Sequence, residues 1–281
     1  VTGFGQTGPY KDRPGFGTIA EAYAGYAYIS GYPDRPPLLP GFGLADSTTG
    51  LMAAYLASVA LHDKRKTGKG QIVDLALYET LLTLLGPQVV NHDQLNIVQE
   101  RAASRLPFTA PRNIYLTKDQ KYISVGGSAQ SIFERICLAL EIPELALDSR
   151  FADNRTRLAN VDALDEALQN AILRFDRAEL MERFIQLEAA ISPVNNIQDI
   201  FADAHMASRE NIIELYDDEL GTGLRMQNVP GKLSRTPGQI HHTGPRMGEH
   251  NREILIDKLG YKESDLSALG IDFSNSKKSI T

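Results

Sequence analysis

The chain lacks tryptophan altogether and has one cysteine, Cys137, and six histidines in 281 residues. A lone cysteine closes no internal disulfide, so stability must come from a packed core, which fits a reducing, cytoplasmic setting. Cys137 lies inside the apolar helical pattern IFERICLALEI and reads as a small core residue. No stretch reaches the roughly 18 consecutive apolar residues of a membrane span, and no signal-peptide pattern opens the chain, so no membrane partner is expected. GxSxG elbows and P-loops are absent, and GFGQTG has no visible strand before it to make a dinucleotide fingerprint. His241 and His242 are adjacent in a Pro/Gly-rich loop, and the other histidines have no ligand at metal spacing, so no metal is expected.

The formal charge of −6 comes from scattered acidic residues, which leaves no broad electropositive face for nucleic acid. One basic run, His62–Gly70, reads as a solvated helix end, where cations suit the macrodipole. What is abundant is the material of a soluble globular protein: 42% hydrophobic and 23% charged residues, enough for one large or two ordinary domains. The sequence begins with Val1 rather than Met and opens at once into Gly-rich loop, so it is expected to be a fragment of a longer polypeptide.

Residues 1–98 alternate loop, helix and strand signals. Val1–Phe16 is loop by its glycines and prolines, Thr18–Ser30 an Ala-rich helix, and 31–41 a Pro-rich turn. A helix from about Ser47 to Lys66 is closed by the glycines of TGKG. Gln71–Leu77 reads as a strand, followed by a helix interrupted at Gly86-Pro87. This order suggests an α/β layered domain with too few strands to be complete.

Residues 99–111, polar, basic and Pro-containing, read as a linker. Residues 112–193 form a small α+β unit: a hairpin around TKDQK, a helix at Ile132–Leu140 capped by Ser128, and two amphipathic helices in 162–175 and 177–190. A second connection falls near Ser192-Pro193. Residues 194–281 then combine a helical segment, short strands, and a helix ending at Gly260, and they read as a return to the large domain.

The stretch Pro40–Leu61 organises the rest, because a Gly-flanked loop brings Asp46 to the start of an apolar helix. Asp46 fits an N-cap, whose side-chain oxygen accepts from the first free N–H groups. It also fits a poorly solvated reactive carboxylate, able either to attack an activated acyl group or to remove a proton beside a thioester carbonyl. The residues alone leave these alternatives open.

Six pieces in fixed order, GFGQTGPYKDRPGF, GFGLADSTTGLMAA, KTGKGQIVDLALYE, YLTKDQKYISVGG, ISPVNNIQDIFAD and GEHNREIL, resemble class III CoA-transferases of the CaiB/BaiF type. The resemblance runs over essentially the whole chain. It implies an α/β fold with a Rossmann-like large domain, incomplete here, an inserted small α+β domain, and two chains interlocked as rings in a homodimer. It further implies a cytoplasmic enzyme that uses an acyl-CoA thioester as substrate, with no tightly bound cofactor, and a carboxylic acid as acceptor.

Within that resemblance Asp46 is the nucleophile, forming a mixed anhydride and then an aspartyl-CoA thioester. Arg13, Pro14, Gly15 and Phe16 match the CoA-binding segment, with Arg13 facing a CoA phosphate. A lid over the intermediate maps near Pro111–Asn113 or Gly126-Gly127, although no run of glycines stands there. Many relatives carry an acid directly after the PGF-like motif, where this chain has Gly17. Related α-methylacyl-CoA racemases place a histidine where Phe16 stands, which disfavours that alternative; a catalytically incomplete CoA-binding fragment is the other. The TKD and PVN pieces lean toward succinyl-CoA-dependent, dicarboxylate-handling members.

Overall fold

The Ala-rich stretch after the opening loop folds as two short helices instead of the one expected. α1 (Gly17–Tyr23) and α2 (Tyr26–Ile29) part at Gly25, whose φ of 93° is left-handed backbone that favours glycine. The computed structural model describes residues 1–275, and these fall into one unit, Val1–Val194, and a second that begins at Asn195.

In the first unit α1 packs with α3 (Leu44–Thr67) and α4 (Leu77–Leu84). Ala20, Ala24 and Ala45 are all buried with Leu81 at the meeting point, and their small side chains let the three backbones come close. α3 starts three residues before the expected Ser47, with Gly43 as its N-cap, and ends at left-handed Gly68 after Lys64, Arg65 and Lys66. α5 (Gln88–Leu95) follows the Gly86-Pro87 break as expected.

Gln71–Leu77 does not form the expected strand. Among the described residues its apolar side finds no neighbouring strand to pair with, and the segment makes only a parallel bridge between Thr2 and Ala76. Ile72 stays 88% exposed as a result. Among the described residues the regular sheets are antiparallel, and the layering is mixed α/β.

α3 is also long and apolar enough to cross a membrane, by length and composition, although its apolar residues form no unbroken run of that length. Leu51, Tyr55 and Val59 on it are exposed. Its first turns nevertheless sit in protein, with Ala45 and Thr49 fully buried and the Thr49 hydroxyl donating to the Leu77 carbonyl.

The main core of the first unit lies under a three-stranded antiparallel sheet in the order β1 (Arg112–Leu116), β2 (Tyr122–Gly126), β3 (Ile191–Pro193). The hairpin matches expectation, with Arg112 opposite Gly126 and Leu116 opposite Tyr122. Ser192-Pro193, near which a connection is expected, lies in strand β3, which pairs Val125 with Ile191 and stands directly before the division between the units after Val194. Alternation puts Tyr115, Ile123 and Val125 inside. They pack against α6 (Gln130–Ala139), α8 (Val161–Ile172) and α9 (Arg177–Gln186), which bury Phe133, Leu164, Leu168, Leu180 and Phe184.

Cys137 is fully buried in this core, and burial pushes its thiol up to about 12. Asp165 gathers Tyr115 Oη at 2.6 Å, Asn113 Nδ2 at 2.8 Å and Arg105 Nε at 2.6 Å, so residues of the 99–111 segment are clamped to α8. Burial next to that carboxylate holds the Tyr115 phenol well above its usual range.

α7 (Asn154–Ala159) carries Arg157, a fully buried guanidinium held by four oxygens. It donates to the carbonyls of Ala110, Phe151 and Ser128 and to Gln130 Oε1. Ser128 does not cap α6; Ala129 is the N-cap without a side-chain bond, and the Ser128 carbonyl serves Arg157 instead.

The second unit holds α10 (Ile197–Ala202), α11 (Ala204–Ser208), the hairpin β4 (Ile212–Asp217) and β5 (Thr222–Gln227), a π-helical turn over Arg252–Lys258 and α12 (Glu263–Ala268). Asn196 and Asp203 cap its first two helices through N–H bonds from Asp199 and Met206. The end of the 194–281 segment, residues 276–281, lies outside the described residues.

Candidate active site

Four aromatic rings and two glycines build the floor of the opening loop. Phe4 lies edge-on to Tyr10 at 5.9 Å and to Tyr23 at 5.4 Å, and Tyr23 meets Tyr78 of α4 at 5.1 Å. Edge-to-face packing of this kind adds about 0.5–1.5 kcal/mol per pair to the area buried. Burial pushes the Tyr78 phenol above its ordinary value. The loop is tied down further by Thr2, which exchanges backbone bonds with Leu75 and Leu77, and by Gln6 N–H donating to Asp74 Oδ2 at 3.0 Å.

Gly3 and Gly15 touch backbone to backbone: a Cβ on Gly3 would stand 2.7 Å from the Gly15 Cα. This contact sets the course of Arg13–Phe16. Arg13 is exposed and lies over Tyr10, its guanidinium carbon 3.5 Å from the ring centroid. A cation on an aromatic face keeps its N–H edges free for a further partner. Pro14 and Phe16 are exposed and Gly15 half-buried, and Phe16 is the N-cap of α1.

The next residue, Gly17, meets the nucleophile candidate. A Cβ there would stand 2.3 Å from Asp46 Oδ2, closer than any real contact. On its other side Asp46 Oδ2 is 3.5 Å from where a Cβ on Gly43 would be. Asp46 is thus lined by glycine as expected, and the segment Arg13–Phe16 leads through Gly17 to it.

Two expectations about Asp46 need correction. It is not the N-cap, since α3 begins at Leu44 and Asp46 sits within the first turn. Nor is it poorly solvated: the residue is exposed, because glycines carry nothing to cover it. With the described residues it makes no hydrogen bond and no ion pair. Its place in the first turn still suits a negative charge, since the helix macrodipole is positive there.

The buried acid of the site is Glu21, on α1 one turn beyond Gly17 and 3% exposed. Its Oε1 accepts the N–H of fully buried Ala45 at 3.1 Å. The sequence did signal it, as the single acid within the apolar helix TIAEAYAGY, where a charge must have a partner. The aromatic floor gave no comparable signal, because its four rings are scattered over 75 residues of sequence, from Phe4 to Tyr78.

The two neighbourhoods considered for a lid are one place. The β1–β2 pairing sets Arg112 opposite Gly126, and the Gly127 N–H donates to the Pro111 carbonyl at 3.0 Å. In the second unit His241 and His242 line a cavity of about 830 Å³ with Asp217, Arg246 and His250, a mixture of both signs of charge.

The model for CoA-transferase family III matches residues 1–251, and the chain belongs to that family. Similar relatives include the succinyl-CoA–D-citramalate CoA-transferase of Chloroflexus aurantiacus, 39% identical over 96% of this chain and 67% of its own length. The succinyl-CoA–L-malate CoA-transferase beta subunit of the same organism is 38% identical over the same shares. Among solved structures, a CaiB/BaiF family protein from Brucella suis superposes with a TM-score of 0.76 at 29% identity, over 91% of this chain and 66% of that one. The chain therefore spans about two thirds of the length of these relatives.

Proposed function

We propose that the protein moves CoA from an acyl-CoA thioester to a carboxylic acid through covalent intermediates on Asp46. The observation that carries this reading is the exposed, unbonded Asp46 carboxylate at the start of α3, set against Gly17 at the end of the Arg13–Phe16 loop. Lone pairs not committed to a cap are available for attack.

In the proposed sequence one Asp46 oxygen attacks the thioester carbonyl and expels the CoA thiolate, leaving a mixed anhydride. The thiolate attacks the Asp46 carbonyl of that anhydride, releasing the donor acid and forming an aspartyl-CoA thioester. The acceptor carboxylate then displaces the thiolate from Asp46. The thiolate finally attacks the acceptor's acyl carbon, giving the new acyl-CoA and restoring the Asp46 carboxylate. Each step exchanges one acyl bond for another, so no thioester is spent on water.

Arg13 is assigned to a CoA phosphate, and Pro14, Gly15 and exposed Phe16 to the body of the CoA chain. The named substrates of the Chloroflexus relatives support succinyl-CoA as donor and a small dicarboxylate as acceptor. The same proposal includes a cytoplasmic, interlocked homodimer with a Rossmann-like large domain, divided at 1–98, 99–111, 112–193 and 194–281, and no membrane or nucleic-acid partner. The exposed Leu51, Tyr55 and Val59 face of α3 is consistent with further protein covering it.

The test uses the complete protein with succinyl-CoA. A CoA adduct on the Asp46 peptide by mass spectrometry, lost in Asp46→Ala together with turnover, is the expected result. Unaltered turnover in Asp46→Ala would sink the reading, and solvent deuterium entering the α-position without acid exchange would replace it with racemase chemistry.

A further inference from the structure

We propose that Glu21 is the positioning residue of the site, taking over the capping of α3 so that Asp46 stays free for the reaction. The inference rests on the reading of Asp46 as nucleophile. A helix start leaves its first N–H groups without intrahelical partners, and a nearby Asp or Ser side chain ordinarily satisfies one of them. Here the N-cap is Gly43, which has no side chain, and the α3 N-cap makes no side-chain bond. The carboxylate nearest in sequence is Asp46, and a carboxylate that folds back onto these donors has spent a lone pair.

The structure divides the two tasks between two acids. Glu21 reaches across from α1 and accepts the Ala45 N–H at 3.1 Å, with both residues buried. Asp46, the next residue, is exposed. Gly17 and Glu21 lie four apart on α1 and hence on one face of it. That face meets the start of α3 twice: at Gly17, where the missing Cβ makes room for the Asp46 carboxylate, and at Glu21, where the bond to Ala45 fixes the turn.

A single strut of this kind sets the distance between the loop that carries Arg13–Phe16 and the helix that carries Asp46. The loop runs straight into α1 through Phe16, its N-cap. Loss of the strut lets the first turn of α3 shift against the loop, and a misplacement near 1 Å costs about 100-fold in a positioned reaction. Binding of the CoA chain to the loop itself is untouched by such a shift.

Three variants of the complete protein test this. Glu21→Gln keeps a carbonyl oxygen for the Ala45 N–H and is expected to turn over within about threefold of the natural protein. Glu21→Met fills the same volume without an acceptor, and Glu21→Asp is too short to reach; both are expected to lose about 10- to 100-fold in kcat. KM for the acyl-CoA should stay within about twofold, and the rate of CoA adduct formation on Asp46 should fall with kcat.

A residue that only stabilised the fold would lower the melting temperature and leave kcat per folded molecule unchanged. That result in Glu21→Met or Glu21→Asp overturns the proposal, and so does a Glu21→Gln as slow as either. Should Glu21→Met fail to fold, Glu21→Asp against Glu21→Gln decides alone. If the natural protein forms no adduct on Asp46, the covalent reading fails instead, and the two failures are told apart.

Discussion

Gly17 has no room for a side chain because Asp46 occupies it: the closest approach of a Cβ would be 2.3 Å to Oδ2 and 2.8 Å to Cγ. Gly17→Ala is therefore expected to turn the Asp46 carboxylate out of its present rotamer. Since the residue is otherwise helical and not left-handed, the variant should fold with a melting temperature near that of the natural protein. With Asp46 in its proposed role, kcat should fall about 100-fold, the cost of displacing a positioned reacting group by an ångström. Steady-state kinetics with a melting curve checks both halves.

Arg13 stacked on Tyr10 makes a prediction about binding rather than chemistry. Arg13→Ala should weaken CoA binding about 10-fold or more, the worth of a charge-assisted bond to phosphate. Tyr10→Ala, which removes the platform but leaves the charge, should cost about two- to fivefold. Neither should change affinity for a pantetheine thioester, which has no phosphate. Calorimetry with both ligands reads the difference.

Arg157 joins four uncharged oxygens in the interior, and desolvation lowers its proton affinity against the opposing pull of the Asp153 charge. Arg157→Met keeps the bulk over Phe133 but strands the carbonyls of Ala110, Phe151 and Ser128. The expected loss is about 3–5 kcal/mol, measured by urea unfolding, since buried acceptors left unpaired bear their full desolvation cost. Arg157→Lys should recover only part of it, because one ammonium cannot span the fork.

Asp119, in the β1–β2 turn, is lowered to about 2, first by the Thr117 hydroxyl and then by the Arg177 N–H and Lys121. A carboxylate held below its unfolded value of 3.8 stabilises the fold above that pH. The stabilisation is lost as the pH falls from there through about 2. The stability gap between the natural protein and Asp119→Ala should thus be flat from neutrality to about pH 5 and shrink below it. A gap that widens on acidification would contradict the assignment.

Much of the small sheet unit was legible in the sequence because its code is local. Alternation gave β1 and β2, and the 3.6-residue period gave α8 and α9. The third strand was hidden because Ile191–Pro193 is three residues long and is a strand only by virtue of β2 beside it. Gln71–Leu77 failed in the opposite sense, having the composition of a strand and, within the described residues, no more than a single bridge to Thr2.

At the site, Asp46 and the Arg13–Phe16 loop were marked by glycine and by the resemblance. The division of labour between Asp46 and Glu21 was not, because it depends on a contact 24 residues apart. Pattern reasoning assigns a cap to the acid nearest in sequence. Here distance in space decides.

The touch between Gly3 and Gly15 has a consequence for how this loop can vary. When a core side chain grows, a neighbour can shrink and take up the difference. At this crossing each partner is already glycine, and a Cβ on either meets the other's main chain, at 2.7 Å from one side and 2.9 Å from the other. No second substitution at the partner position can restore the fit. A change at either residue must therefore be absorbed by the path of the chain itself, along the segment that ends at Gly17 beside Asp46.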